Sequence, residues 1–410
     1  MARVVLAYSG GLDTSIAIGW LKKEKGLDVV TLTADLGQGR ELEDIKRRAL
    51  KNGASEATVV DLKKPFVNEF IYPALKAQEF YGEGYLLATA LGRPLIAREL
   101  VKYARKTGAQ YVAHGCTGKG NDQVRFDVTT AALAPDIKVI APLREWSLKS
   151  REEEIEFAKK TGIDIGDVTK KRIYSYDNNL WGVSIECGPL EDPWNAPPEE
   201  AYTITCDPKK APNEPEEVTI GFKAGIPISL NGKKMDGVTL IDKLNAIGGK
   251  HGVGRFDQIE DRLVGIKSRE VYEAPAGLIL FIGLRAIQHL TMPKDLIAEA
   301  RTLGRRYGEL VYNGLWFTAL KRSLDAFFDE ANKNATGEVR IRLFKGTAQV
   351  VGRKSRYALY VHSLSTYDAS DKFDHSASVG FIKLWGLPVA LAERINREAG
   401  REGSPPGKEE

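Results

Sequence analysis

The chain has 410 residues, 43% of them hydrophobic, which suffices for two or more cored domains. Its 59 Lys and Arg against 55 Asp and Glu leave a net charge of +4 without a basic run, which argues against a nucleic-acid partner while leaving room for small anions. Cys116, Cys187 and Cys206 are too far apart for a disulfide framework or a C-x-x-C zinc site, the N-terminus shows no signal-peptide pattern, and the most lipid-like run, Gly277 to Leu284, falls far short of the ~20 residues of a membrane span, so a soluble, cytoplasmic protein is expected.

In the first ~165 residues strand and helix alternate in the manner of a parallel sheet. Strands are expected at Val4–Ala7, Val29–Thr33, Ala57–Val60, Tyr111–Ala113 and Val139–Ala141. Helices are expected at Ser15–Lys25, Glu41–Asn52, Pro65–Lys76, Leu95–Lys106, Asp122–Leu133 and Arg151–Lys160. Gly26, Gly53, Gly108 and Gly162 fall where helices should end in a left-handed residue. Such sheets bind ligands beyond the carboxyl ends of their strands, so Ser9–Ser15, Asp35–Gly39 and His114–Asp122 should open on one edge. From about Ile173, Pro and Gly become frequent. Short β-like runs (Val218–Phe222, Ile226–Leu230, Gly277–Ile282, Val339–Phe344, Ala348–Val351) then mix with helices near Leu240–Ile247, Lys294–Asn313 and Thr318–Lys333, the texture of an α+β domain. Phe381 to Ala399 carries Ile382, Leu384, Trp385, Leu387, Val389, Leu391 and Ile395, an apolar load for a partner chain or for its own domain. Gly400 to Glu410 reads as disordered.

The turn from the first strand into the first helix is Ala7-Tyr8-Ser9-Gly10-Gly11-Leu12-Asp13-Thr14-Ser15. A strand that breaks at Ser-Gly-Gly and enters a helix at once leaves free N–H groups, and the positive end of the helix dipole, at the sheet edge: an anion site. The loop has no Gly-Lys-[Ser/Thr] ending and no G-x-G-x-x-G spacing, so it is neither a Walker A motif nor a dinucleotide fingerprint. Asp13 would repel a phosphate unless Mg²⁺ or the helix amides offset it; alternatively Asp13 or Thr14 caps the helix, a role of ~0.5–2 kcal/mol. The segment is similar to the pyrophosphate loop S-G-G-x-D-[S/T]-[S/T] of the N-type ATP pyrophosphatases, which cleave ATP between its α- and β-phosphates and adenylate a substrate oxygen.

A second segment runs from His114 to Phe126. Three glycines allow close backbone approach, and Asn121 and Arg125, four apart, share a helix face. Arg125 offers a fork for a carboxylate and Asp122 an acceptor for an ammonium, a pairing suited to a zwitterion; a capped helix start with a surface ion pair is the plainer reading. The whole segment resembles the HGxTGKGNDQxRF motif of the argininosuccinate synthase family. Glu83–Pro94, Asp177–Ser184, Ala211–Asn213, Gly249–Arg255, Glu260–Arg262 and Gly265–Gly277 resemble further motifs of that family, in its order, so the likeness spans residues 1 to about 385.

The resemblance implies a ligase of arginine biosynthesis that joins L-citrulline to L-aspartate, with ATP as substrate together with Mg²⁺, no prosthetic group, and release of AMP and pyrophosphate through a citrullyl-adenylate. It implies ATP contacts at Ala7, Tyr8, Ser9, Gly10, Gly11, Leu12, Asp13, Thr14, Ser15, Ala34 and Gly115. It implies aspartate contacts at Thr117, Asn121 and Asp122, and citrulline contacts at Tyr85, Thr89, Asn121, Arg125, Ser175, Ser184, Glu260 and Tyr272, with Arg125 on the carboxylate and Glu260 on the ammonium. Some relatives have serine where this chain has Ala90, which moves any hydroxyl contact there to Thr89. Asp13 and Asp122 are the catalytic candidates, Asp122 as base although a carboxylate pKa near ~4 suits that task poorly. Lys119 reads as a solvated side chain or a phosphate contact, and His114 and His251 as structural imidazoles ahead of a proton-handling role suggested only by their nearness to the motifs. The implied fold is α/β: a parallel, doubly wound nucleotide-binding sheet over 1–165, an α+β synthetase domain over 166–370, and a C-terminal oligomerisation arm and tail over 371–410, in a homotetramer. A tRNA-thiolating pyrophosphatase would want a reactive cysteine pair and a basic surface, and a non-catalytic nucleotide sensor would tolerate losses in the substrate motifs; neither pattern is present.

Overall fold

The computed structural model describes residues 1–39, 42–78, 80–82, 84–148, 150–166 and 173–401. Its first part alternates β1 (Arg3–Ala7), α1 (Leu12–Lys25), β2 (Asp28–Asp35), α2 (Leu42–Lys51) and β3 (Glu56–Asp61). A continuous helical stretch follows: α3 (Lys63–Pro65), a π-helical segment Phe66–Ile71, and α4 (Tyr72–Ala77). Then come α5 (Ala88–Thr107), β4 (Tyr111–Ala113), α6 (Asn121–Leu133), β5 (Lys138–Ile140), α7 (Pro142–Glu145) and α8 (Arg151–Thr161). The five strands form a parallel sheet in the order β3-β2-β1-β4-β5. Val4, Val5 and Leu6 are fully buried, as a central strand covered on both faces requires. Strand order reverses between β1 and β4, which opens a crevice at their carboxyl ends.

Gly26, Gly108 and Gly162 end their helices in the left-handed region, at φ 61°, 67° and 70°. The expected helix start at Glu41 lies outside the described residues. Helix α5 begins seven residues before the expected Leu95. Pro94, which lacks an N–H, is tolerated because the turns before it are held by other means: Ala90 and Leu91 are fully buried, and the Tyr85 hydroxyl accepts from the amides of Thr89 (3.1 Å) and Ala90 (3.2 Å).

The second part begins with β6 (Ser175–Asn179) and β7 (Gly182–Glu186), followed by β8 (Glu216–Lys223), β9 (Ile226–Leu230), β10 (Lys233–Lys234), α9 (Gly237–Lys250), β11 (Arg255–Asp261) and β12 (Lys267–Glu273). It continues with α10 (Pro275–Thr291), α11 (Lys294–Tyr312), α12 (Ala319–Ala331), β13 (Gly337–Phe344) and β14 (Thr347–Lys354). Two antiparallel sheets result, β10-β9-β8-β13-β14 and β11-β12-β7-β6. The expected strand at Gly277–Ile282 is instead the start of helix α10. A continuous apolar run fits a buried strand or a helix buried on most sides; here Pro275 pre-sets the first turn and Gly283 lets the helix lie on Val339, Ile341 and Phe222 of the larger sheet.

One large apolar core joins this sheet to α10, α11 and α12, and it takes in Leu62, Phe66, Phe70, Ile71, Leu75 and Leu91 from the first part of the chain. The described residues from Ala358 onward form a separate compact unit with α13 (His362–Ser365) and α14 (His375–Glu398). Asp374 caps α14 through the amides of Ser376 and Ala377. None of its residues is buried, and Trp385 and Leu384 are 76% and 72% exposed. No helix among the described residues is long and apolar enough to cross a membrane. The expected disorder of the tail beyond Arg401 lies outside the described residues.

Candidate active site

A cavity of about 650 Å³ opens at the carboxyl edge of the parallel sheet, where the three expected loops meet one face of the β11-β12-β7-β6 sheet. In the loop after β1, Gly10 adopts φ +73°, and a β-carbon there would lie 3.0 Å from Ile45 Cγ1. Arg48 Nη1 donates to the Gly10 carbonyl at 2.8 Å and pins the turn. Gly11 is the N-cap of α1 and no side chain caps the helix, so the first-turn amides face the cavity and the capping role for Asp13 or Thr14 falls away. Thr14 Oγ1 lies 3.1 Å from Ser9 Oγ, and Tyr8 and Ser15 hydroxyls are 3.0 Å apart. Burial, with its hydrogen bond to and repulsion from Asp13, pushes the Glu154 carboxyl of α8 up to about 8.

The loop after β4 approaches the same turn: a β-carbon on Gly115 would lie 2.7 Å from Thr14 Cγ2. Helix α6 then presents Asn121, Asp122 and Arg125 to the cavity. Asp122 accepts from Arg93 Nε and Arg125 Nη1, both at 2.8 Å. Burial works to raise the Asp122 pKa, but the two guanidinium charges outweigh it and hold the carboxyl below its ordinary range. Arg125 also donates from Nε (3.1 Å) and Nη2 (2.9 Å) to the Tyr312 carbonyl. Three of the five guanidinium N–H groups are thereby used, and two remain for a ligand.

The polar wall of the cavity follows from strand register. Asp177 pairs with Ser184 and Ser184 with Tyr272; Ser175 pairs with Glu186, and Glu260 with Ser268. Alternation along each strand therefore brings Ser175, Asp177, Ser184, Glu186, Glu260, Glu270 and Tyr272 to one face, and all seven line the cavity. Glu260 accepts from Gln258 Nε2 (2.8 Å), Tyr312 Oη (2.7 Å) and Tyr272 Oη. Tyr85 stacks on Tyr272 with ring centroids 4.2 Å apart and hydrogen-bonds Thr89. Burial, with the Glu260 charge adding to it, pushes the Tyr272 phenol well above its ordinary value, and burial pushes Tyr85 up to about 12, so both remain hydroxyl donors. The Ser184 hydroxyl is buried and has no hydrogen-bond partner among the described residues.

Residues 3–164 match the arginosuccinate synthase N-terminal HUP domain, and residues 174–392 match the arginosuccinate synthase C-terminal domain. An argininosuccinate synthase of Rubrobacter xylanophilus is 52% identical over 403 residues, covering 98% of each chain. Those of Trichodesmium erythraeum (55% identical, 95% of this chain and 97% of the relative) and Aquifex aeolicus (53% identical, 96% and 98%) are similar over the same extent. The chain belongs to the argininosuccinate synthase family. It is a carbon–nitrogen ligase of arginine biosynthesis that joins citrulline and aspartate, with ATP as a substrate.

Most residues singled out for a role in this argininosuccinate synthase line the cavity: Ala7, Tyr8, Ser9, Gly11, Leu12, Asp13, Thr14, Ala34, Tyr85, Thr89, Gly115, Thr117, Asn121, Asp122, Arg125, Ser175, Ser184, Glu260 and Tyr272. Gly10 and Ser15 stand behind it, as turn and hydroxyl support. Thr89 lines the cavity and the fully buried Ala90 does not. His114 accepts at Nδ1 from the Cys116 amide (3.2 Å) and bonds Asp127 through Nε2 (2.9 Å), which makes it a brace of the loop. His251 is fully buried against Glu216, away from the lining, and Lys119 is exposed. Arg93, Asp177, Arg262 and Glu270 had no assigned role although they sit inside the quoted motifs. Glu186 and Tyr312 lie outside those motifs, and only the strand register and the fold bring them in.

Proposed function

We propose that this cavity adenylates citrulline on its ureido oxygen and passes the activated carbon to the aspartate amine. The observation that carries the reading is that one cavity is lined both by the uncapped phosphate loop and by the polar sheet face, where the Ser184 hydroxyl lacks a partner among the described residues. A ureido oxygen leaves badly; attack on the α-phosphorus turns it into an AMP leaving group and expels pyrophosphate. The amides from Ala7 to Ser15, with Ala34 and Gly115, hold the nucleotide and stabilise the charge gathering on pyrophosphate. Magnesium accompanying ATP would offset the phosphate charge, and Asp13, which lines the cavity at the loop, is the residue we assign to hold it.

Arg125 turns its two remaining N–H groups to the citrulline carboxylate, Glu260 takes the ammonium, and Tyr85, Thr89, Asn121, Ser175, Ser184 and Tyr272 complete the pocket. Thr117, Asn121 and Asp122 hold aspartate. The guanidiniums that keep Asp122 ionised suit it to anchoring the aspartate ammonium and make it a weak proton acceptor. Burial and the nearby Asp122 charge push the Cys116 thiol far above its ordinary value, which speaks against a thiolating reaction. We further assign the division 1–165, 166–370 and 371–410, a cytoplasmic location, and a homotetramer assembled through the apolar, unburied side of α14.

The decisive experiment supplies citrulline labelled with ¹⁸O in the ureido group. The label should appear in AMP; label retained in argininosuccinate, or release of ADP, would sink the mechanism.

A further inference from the structure

The middle of the cavity-facing sheet contains an arrangement that strand pairing ordinarily avoids. One position beyond the pair Ile185–Val271, Glu186 of β7 comes level with Glu270 of β12, and Glu270 pairs on its other side with Gln258 of β11. Like charges directly opposite on neighbouring strands destabilise a sheet. Here the two carboxyls share a single donor: Arg262 Nη2 donates to Glu186 Oε2 at 3.0 Å and to Glu270 Oε1 at 2.9 Å, while its Nε is turned to Ser268 Oγ. Glu260 adds a third acid in the adjacent position. Around Glu270 stand Glu186 from β7 and Cys187 just past its end, Glu260 and Arg262 from β11 and its exit, and Tyr272 from its own strand. Arg262 therefore serves two carboxyls on the wall of the cavity, with Glu260 nearby on hydroxyl and amide donors alone among the described residues.

Two further observations point to a ligand. The Ser184 hydroxyl, on the same strand face as Glu186, is 8% exposed, has no partner among the described residues, and lines the same cavity. Glu260 already accepts three hydrogen bonds of the roughly four a carboxylate can take. An ammonium, with three donors, needs more than that one remaining position. Glu186 and Glu270 line the cavity, and each accepts one hydrogen bond among the described residues, from Arg262.

We propose that Glu186 and Glu270 complete the subsite for the α-ammonium of citrulline, and that Glu270 gives up a proton to solvent as the ammonium arrives. The inference rests on the citrulline reading of this cavity. Burial and the Glu186 charge push Glu270 up to about 8, which favours its protonated form near neutrality. Proton and citrulline then compete, and the citrulline KM falls as pH rises until Glu270 is ionised.

The test is the pH profile of the citrulline KM at saturating ATP and aspartate. For the unaltered enzyme it should drop about tenfold from about pH 7 to pH 8.5, while the aspartate KM does not follow it. In Glu270→Gln the profile should be flat across that range. A glutamine variant that keeps the full drop would overturn the proposal, as would an unaltered enzyme without it, so the test stands even if the variant folds poorly. Glu260→Gln separates the underlying reading: a citrulline KM indifferent to that change removes citrulline from the cavity altogether. A raised KM there with an unshifted Glu270→Gln profile removes only the role of Glu270.

Discussion

Arg125 is 3% exposed and bonded to both Asp122 and the Tyr312 carbonyl, so it is fixed before any substrate arrives. A preset planar fork loses little freedom on binding a carboxylate, which is where arginine differs from lysine. Arg125→Ala should raise the citrulline KM about tenfold to a hundredfold, from a charge-assisted pair of ~1.5–3 kcal/mol, and Arg125→Lys should not restore it. An unchanged KM in the alanine variant would take Arg125 out of the citrulline site. Glu270 makes a stability prediction of opposite character. Its carboxyl ionises near ~4.3 in an unfolded chain but near about 8 in the fold. The folded state binds the extra proton, so its contribution is complete below the unfolded pKa and is lost as pH rises through the folded one. Glutamine does not titrate, so the Tm of Glu270→Gln relative to the parent should climb from about pH 5 to about pH 8 and then level off. A constant offset would show that Glu270 ionises normally.

Between elements, the closest contact in the site is the loop after β4 against the start of α1. An alanine at 115 would place its β-carbon 2.7 Å from Thr14 Cγ2, and Thr14 is tied to Ser9 Oγ. Gly115→Ala should therefore displace the phosphate loop and raise the ATP KM by about tenfold or more, with a smaller effect on citrulline; equal KM values for ATP would mean the two loops move independently. The parallel sheet was readable because its strands are largely apolar or β-branched runs, Val4 to Ala7 among them, and glycines end α1, α5 and α8. Strands β6, β7, β11 and β12 were not marked, although Ser184, Glu186, Glu270 and Tyr272 turned out to be the cavity wall. Their polar positions alternate with Val183, Ile185 and Val271, a pattern indistinguishable in sequence from a strand with one face in water. The face is polar where it lines the cavity. The same ambiguity in reverse misread α10, whose burial on most sides erases the helical period. Phosphate and substrate loops were legible as motifs; Tyr312 was not, since its contribution comes through a main-chain carbonyl and a hydroxyl that only packing brings to Arg125 and Glu260.

For the whole molecule, α14 presents Phe381, Ile382, Leu384, Trp385 and Leu387 at 57% exposure or more. Removal of the chain from Phe381 onward should lower the oligomeric mass measured by light scattering, and a truncated protein of unchanged mass would refute the arm as the assembly element. The shared core has a different consequence, one of timing. Phe66, Phe70 and Ile71 emerge between the third and fourth strands of the parallel sheet, yet they belong to one core with Ile279, Leu310 and Phe328, and Phe70 stacks on Trp316. A ribosome delivers residues from one end, so this greasy helix waits some two hundred residues for its cover while the sheet around it is otherwise ready. The nascent chain thus carries an exposed sticky segment through much of its synthesis, and the nucleotide half reaches its final form only when the synthetase half has been made.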